Sequence, residues 1–239
     1  MTIPNPYKPD KAFGVTVPYG LPVADLRARL DKPGPPAWAA CLALGYKPEP
    51  DALALLTELA KDKEWSLRNL AVQGLGVHPL GAQAAELVIQ ALSDPLPVIV
   101  RTACDAAARL GLANARKPLV GLLASADPQV RLQAVRALGR LWSTEVYPPV
   151  WSLSRKETVD SVRKEAEITL RRTATAQTWR RLFDRWKLDP HPTLRVLACG
   201  LLGEFAQSGD LPELRRLVRD RSVHVRKAAE HAAAKRNFR

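Results

Sequence analysis

The 239-residue chain has room for one or two domains and is 46% apolar and 25% charged, the balance of a folded domain and not of a disordered one. No apolar run reaches the roughly 18–20 residues of a membrane helix, and MTIPNPYKPDKAFG lacks the apolar segment of a secretory leader. The net charge of +12 is uneven: residues 1–119 hold 13 Lys and Arg against 11 Asp and Glu, and residues 120–239 hold 23 against 13. Such asymmetry points to an anionic partner, although the strong preference for Arg and Ala is equally well explained as codon bias.

Residues 1–21 contain Pro4, Pro6, Pro9 and Pro18 and are too rich in proline for helix. They read as an extended arm, whose Tyr7, Phe13, Val15, Val17 and Tyr19 favour packing on the first repeat. Val15-Thr16-Val17 is the one strand-like stretch, too short to found a sheet. From residue 22 onward short amphipathic segments recur: Val23–Leu30, Asp51–Lys61, Ala82–Leu92, Ala113–Leu123, Tyr147–Ser154, Thr178–Lys187 and Leu211–Arg219. Each is paired with a second, alanine-rich segment with small or apolar residues at i, i+3, i+4 and i+7, the stripe of a helix with one buried face. Asp94-Pro95, Asp127-Pro128 and Asp189-Pro190 at the joints set a capping Asp beside a Pro.

The alanine-rich segments share a phrase: Arg, Ala three residues later, a small or apolar pair at +6 and +7, and often Gly at +8. It reads RNLAVQGLG from Arg68, RTACDAAARLG from Arg101, RLQAVRALG from Arg131, RKEAEITLR from Arg163, RVLACGLLG from Arg195 and RKAAEHAAA from Arg226, with Ala37 in the Arg position of AWAACLALG. The anchors at 37, 68, 101, 131, 163, 195 and 226 are spaced by 31, 33, 30, 32, 32 and 31 residues. A period of about 30 residues over seven units implies a stacked array of helix pairs. An Asp precedes the Arg by six residues in Asp62/Arg68, Asp189/Arg195 and Asp220/Arg226. The recurring Leu-Gly pairs read as helix ends where Gly suits the turn.

The phrases DPQVRLQAVRALGRL (127–141), DPHPTLRVLACGLLG (189–203) and DRSVHVRKAAEHAA (220–233) resemble the HEAT-repeat family in its short form of about 30 residues, the bilin-lyase type. The resemblance implies an all-α solenoid, a right-handed superhelix of about seven two-helix repeats forming one domain over 22–239 behind the arm 1–21. It also implies that turn Asp and helix Arg link successive repeats, so Arg68, Arg195 and Arg226 are expected to be structural. The tetratricopeptide and ankyrin signatures do not recur.

Little points to catalysis. Cys41, Cys104 and Cys199 occupy core-facing positions of the phrase, with no CxxC, and read as packing. His78 and His191 sit in turns; His224 and His231 share one helix face without a carboxylate in register, so no metal is expected. The His-Glu dipeptides of deoxyhypusine hydroxylases, the HEAT-type di-iron enzymes, are absent, as are phosphate loops and nucleophile elbows. Trp38, Trp65, Trp142, Trp151, Trp179 and Trp186 read chiefly as packing between repeats. Basic residues are the remaining candidates. The resemblance puts the second helices on the concave side, where phrase positions +2, +5 and +9 face outward and form a cationic stripe of Arg109, Arg136, Arg140, Arg172 and Lys235, interrupted by Glu204. Arg180, Arg181, Arg185 and Lys187 lie on a first helix and so on the convex side.

The expectation is a cytoplasmic, non-enzymatic scaffold without cofactor that binds the acidic surface of a protein partner. Binding of DNA, in the manner of HEAT-like repair glycosylases, is the alternative; a helper of lyase or enzyme assembly comes third. No membrane contact is expected, and oligomeric state is not legible.

Overall fold

The computed structural model describes residues 9–31 and 34–236. The early part of the arm, with Pro4, Pro6 and Tyr7, lies outside the described residues, as do 237–239 at the end of the expected solenoid. The described residues form fourteen α-helices and one short hairpin.

The hairpin pairs β1 (Lys11–Ala12) with β2 (Val15–Thr16). Phe13 and Gly14 make its two-residue turn with φ of 57° and 78°, as tight hairpins demand. Gly14 adopts this freely; Phe13 does so while its ring meets Trp38 edge-on at 5.5 Å. Tyr19 meets Tyr46 in the same way and donates its hydroxyl to the Pro9 carbonyl. These contacts lay the arm on the first repeat, where α2 is buried along almost its whole length. An end repeat has one face with no neighbour, and apolar cover there replaces a missing repeat.

The helices are paired in chain order: α1 (Val23–Ala28) with α2 (Pro35–Leu44), α3 (Pro50–Leu59) with α4 (Trp65–Leu75), α5 (Ala85–Ala91) with α6 (Pro97–Arg109), α7 (Arg116–Leu122) with α8 (Pro128–Arg140), α9 (Tyr147–Lys156) with α10 (Asp160–Arg172), α11 (Trp179–Trp186) with α12 (Pro192–Phe205), and α13 (Leu211–Val218) with α14 (Val223–Lys235). The segments expected at 82–92 and 113–123 begin as 3-10 turns, Gly81–Ala84 and Ala113–Ala115, before continuing as α5 and α7. This is an all-α repeat fold of the HEAT solenoid kind. The chain divides into two compact units, Met1–Val146 and Tyr147–Arg239. In the first, α2, α4, α6 and α8 stack side by side; in the second, α10, α12 and α14 do.

Alanine makes that stacking close. Ala71, Ala103, Ala134, Ala166, Ala198 and Ala229, the residues at or next to +3, are all buried. Gly111, with φ of 67°, ends its helix in the expected turn, but two other glycines of the Leu-Gly pairs serve close approach instead. Gly45 and Gly76 have ordinary helical φ of −60° and −67°. A Cβ on Gly76 would lie 2.7 Å from Ala106 Cβ, so the neighbouring helix leaves no space for one. At Gly81 a Cβ would come within 2.0 Å of the Leu75 carbonyl oxygen. Gly81→Ala is therefore expected to lower stability by about 1–3 kcal/mol, measured by urea unfolding, since backbone and not a yielding side chain must move. An unchanged midpoint would contradict this packing.

The polar ladder is present. Arg68 donates to its own turn at the Asp62 carbonyl (2.8 Å) and to Asp94 of the next turn (2.9 Å). Arg131 bonds the Ser125 carbonyl, and Arg226 the carbonyls of Asp220 and Arg221. Arg195 makes the fullest set: two bonds to Asp220 at 2.8 Å, and the carbonyls of Asp189 at 2.7 Å and Pro190 at 3.0 Å. The turn carboxylates in addition accept the backbone N–H two residues on, as Asp94 does from Leu96 and Asp220 from Ser222. Arg101 stands outside this series. Six residues after Asp94 comes Val100, which is buried in the ladder position, and Arg101 is turned about 100° further round its helix.

Candidate functional site

The three cysteines are fully buried, and burial pushes each thiol up to about 12, far from a reactive thiolate. His78 is buried in its turn and accepts the Leu80 N–H at Nδ1, while His191 caps α12 by accepting from Thr193. No group of three His, Cys, Asp or Glu able to hold a metal occurs among the described residues. Trp179 and Trp186 are buried, whereas Trp65 is 48% exposed.

The charged residues sort into three places. Those expected on first helices of the second unit are mostly used by the fold. Arg180 pairs with Asp210 and lies over Trp179; Lys187 pairs with Asp184 and Glu213. Arg181 and Arg185 both lie 4.8 Å from the Trp151 ring, and Arg185 also bonds the Ser154 carbonyl and hydroxyl. Behind Arg185 is Glu167, 1% exposed and 3.6 Å from the guanidinium, beyond hydrogen-bond reach. Burial pushes its carboxyl up to about 7, against the pull of Arg185 and Arg163. The folded state thus holds this proton more tightly than the unfolded chain. Stability from this group is full below about pH 4.5 and falls as pH rises to 7, by on the order of 3 kcal/mol. Glu167→Gln is expected to flatten that slope in thermal melts between pH 5 and 8. An undiminished slope would assign it to other groups.

The second place is a groove of about 600 Å³ across α4, α6 and α8 of the first unit. Its lining includes Arg101, Arg109, Arg136 and Arg140 and a single acid, Asp105. With the third repeat read from Val100, the +5 and +9 positions of consecutive repeats supply much of it. Gln73 comes from α4 and Val77 from the turn after it, Asp105 and Arg109 from α6, and Arg136 and Arg140 from α8. Helical geometry puts +3, +6 and +7 into the core and leaves these positions facing out. Asp105 accepts from Arg109 at 2.6 Å on its own helix and from Arg140 at 3.4 Å on the next. The Arg140 side chain is still 52% exposed. Gln129 and Gln133 border the arginines with amide donors and acceptors.

The third place is a groove of about 470 Å³ across α10, α12 and α14 of the second unit. It contains Arg172 and Lys235 at +9 positions, but its floor is Leu197, Gly200, Gly203 and Ala228. Of the expected stripe, then, Arg109, Arg136 and Arg140 come together in one groove, and Arg172 and Lys235 in another. Glu204 is held by Arg171 at 2.7 Å. Sequence reasoning missed Arg101 and Asp105, for which the six-residue spacing from Asp94 was the available signal. It also missed Arg171, which fills the space over Gly200.

Residues 84–171 match the family of HEAT repeats. No curated protein matches the chain. Several solved structures share its fold. An engineered protein is 18% identical with a TM-score of 0.57, over 89% of this chain and 67% of that one. The CpcE–CpcF complex of phycocyanin lyase from Nostoc sp. PCC7120 is 18% identical with a TM-score of 0.55, over 90% and 95%. An archaeal HEAT-like repeats protein from Thermococcus onnurineus NA1 is 17% identical with a TM-score of 0.53, over 91% and 97%.

Proposed function

We propose that this chain, whose helix pairs have the HEAT-like repeat fold, is a non-enzymatic interaction module. Its array runs over residues 22–239, and the groove of α4, α6 and α8 holds an acidic segment of a protein partner. The observation that carries this is four arginines against one carboxylate on one surface, with three glutamines beside them. Guanidinium groups bind carboxylates through paired, planar hydrogen bonds, and side-chain amides satisfy both the N–H and the C=O of a peptide backbone. Buried thiols held up to about 12 agree with a structural use of the cysteines.

The charge excess that favours DNA lies elsewhere. Residues 147–239 hold 20 Lys and Arg against 11 Asp and Glu, but Arg171, Arg180, Lys187 and Arg195 are each taken by a carboxylate. A phosphate backbone laid along the arginine groove would also run its closely spaced charges over Asp105. The test is binding at low salt, about 50 mM, of a fluorescent oligoglutamate peptide and of a random duplex. The peptide is expected to bind and to be displaced by unlabelled peptide, with the duplex the weaker competitor. Tight duplex binding with no peptide binding would favour the nucleic-acid reading instead.

No helix among the described residues is long and apolar enough to cross a membrane. A cytoplasmic location belongs to the same proposal.

A further inference from the structure

We infer that the groove of the second unit is a separate docking site, for an acidic amphipathic helix. Its chemistry differs from that of the arginine groove. The floor is made by Leu197, Gly200, Gly203, Ala228 and Ala232, with Ile168 41% exposed at the lip. Ile168 is the one large apolar +5 residue that is exposed: Leu42, at +5 in the first repeat, is buried, and the other +5 positions of the first unit carry Gln73, Asp105 and Arg136. Gly200 lets α12 pass beneath the Arg171 guanidinium, which a Cβ would meet at 2.6 Å, and Gly203 lets it approach α14, where a Cβ would lie 3.3 Å from the Ala232 Cα.

The rim is cationic. Arg171, Arg172 and Lys235 line it beside His231, and no acid is among its lining residues. Of these, Arg171 is paired with Glu204, the +9 residue of α12, which leaves Arg172 and Lys235 as the charges that face an occupant. The site therefore selects an occupant that is apolar along its centre and acidic at its edges. The α12 residues of the groove run from Val196 to Gly203, seven helical steps or about 10 Å. A partner helix presents apolar anchors at i, i+4 and i+7 over the same distance. An extended acidic segment, which suits the arginines of the first unit, would leave this floor uncovered.

The test uses the full chain and a synthetic helical peptide with Leu at i, i+4 and i+7 and Glu on either side of that stripe. Binding is read by anisotropy of a label on the peptide. Ile168→Asp and Arg172→Glu/Lys235→Glu change residues that are exposed, so the fold should survive, and circular dichroism checks it. Each variant is expected to weaken the peptide about tenfold or more, as is replacing its Leu residues by Ser or its Glu by Lys. Arg136→Glu/Arg140→Glu, which disables the other groove, should leave this peptide's affinity unchanged. Affinity indifferent to Ile168→Asp and to Arg172→Glu/Lys235→Glu would overturn the inference, and so would sensitivity confined to the arginine-groove variant. Failure of oligoglutamate to bind wild type would count against the first groove and leave this result standing.

Discussion

Arg195→Met is expected to destabilise the protein by about 3–5 kcal/mol, the range for breaking a buried ion pair by removing one partner. The Arg195 side chain is 6% exposed and that of Asp220 is 12%, so solvent screens the pair little. Its guanidinium makes four hydrogen bonds, two to Asp220 and two to the carbonyls of Asp189 and Pro190. Methionine fills much of the volume but strands one carboxylate and two carbonyls. Arg226→Met gives up bonds to the carbonyls of Asp220 and Arg221 and should cost less. Asp220 adds a pH signature. Its hydrogen bond from Arg195 holds the carboxyl below its usual value of 3.8, so this contribution is complete above that pH and is lost as pH falls through the folded pKa. Urea unfolding at pH 7 and pH 3 should show the difference between wild type and Arg195→Met shrinking on acidification. Equal stability of the two proteins at pH 7 would remove the ladder from the account.

The second large effect concerns binding. Arg136→Glu/Arg140→Glu is expected to weaken oligoglutamate by about 100-fold or more, because two attractive charges become repulsive. Both side chains are exposed residues of α8, so the helical array should survive, which circular dichroism checks. Asp105→Asn should act in the opposite direction. Asp105 occupies Arg109 and Arg140 as a carboxylate built into the groove, and an incoming peptide must compete with it. Removing its charge is expected to tighten peptide binding by about fivefold. A rise on Asp105→Asn paired with a loss on Arg136→Glu/Arg140→Glu separates a groove effect from a general loss of net charge.

The fold was legible because three independent signals agree along the array: the alanine stripe, the period and the Asp–Arg spacing. The first-helix segments read as 51–61, 147–154 and 178–187 appear as Pro50–Leu59, Tyr147–Lys156 and Trp179–Trp186. The 3-10 openings before α5 and α7 were not legible, since no strong capping residue marks either start. The site was legible where the register was right. Arg136, Arg140, Arg172 and Lys235 lie in grooves because the phrases from Arg131, Arg163 and Arg226 were anchored correctly. In the phrase from Arg101 an Arg one place late drew the register to itself and hid both Arg101 and Asp105. The split of charge between two unlike grooves depends on pairings such as Arg171 with Glu204, which link residues 33 apart and carry no local signal.

The most direct test of the arginine groove is a backbone amide footprint of bound oligoglutamate, by hydrogen exchange or by chemical shifts of the labelled protein. The account predicts changes concentrated between residues 101 and 109 on α6 and between 129 and 140 on α8, absent in Arg136→Glu/Arg140→Glu. A footprint confined to residues 147–239, or one unaltered in that variant, would contradict it.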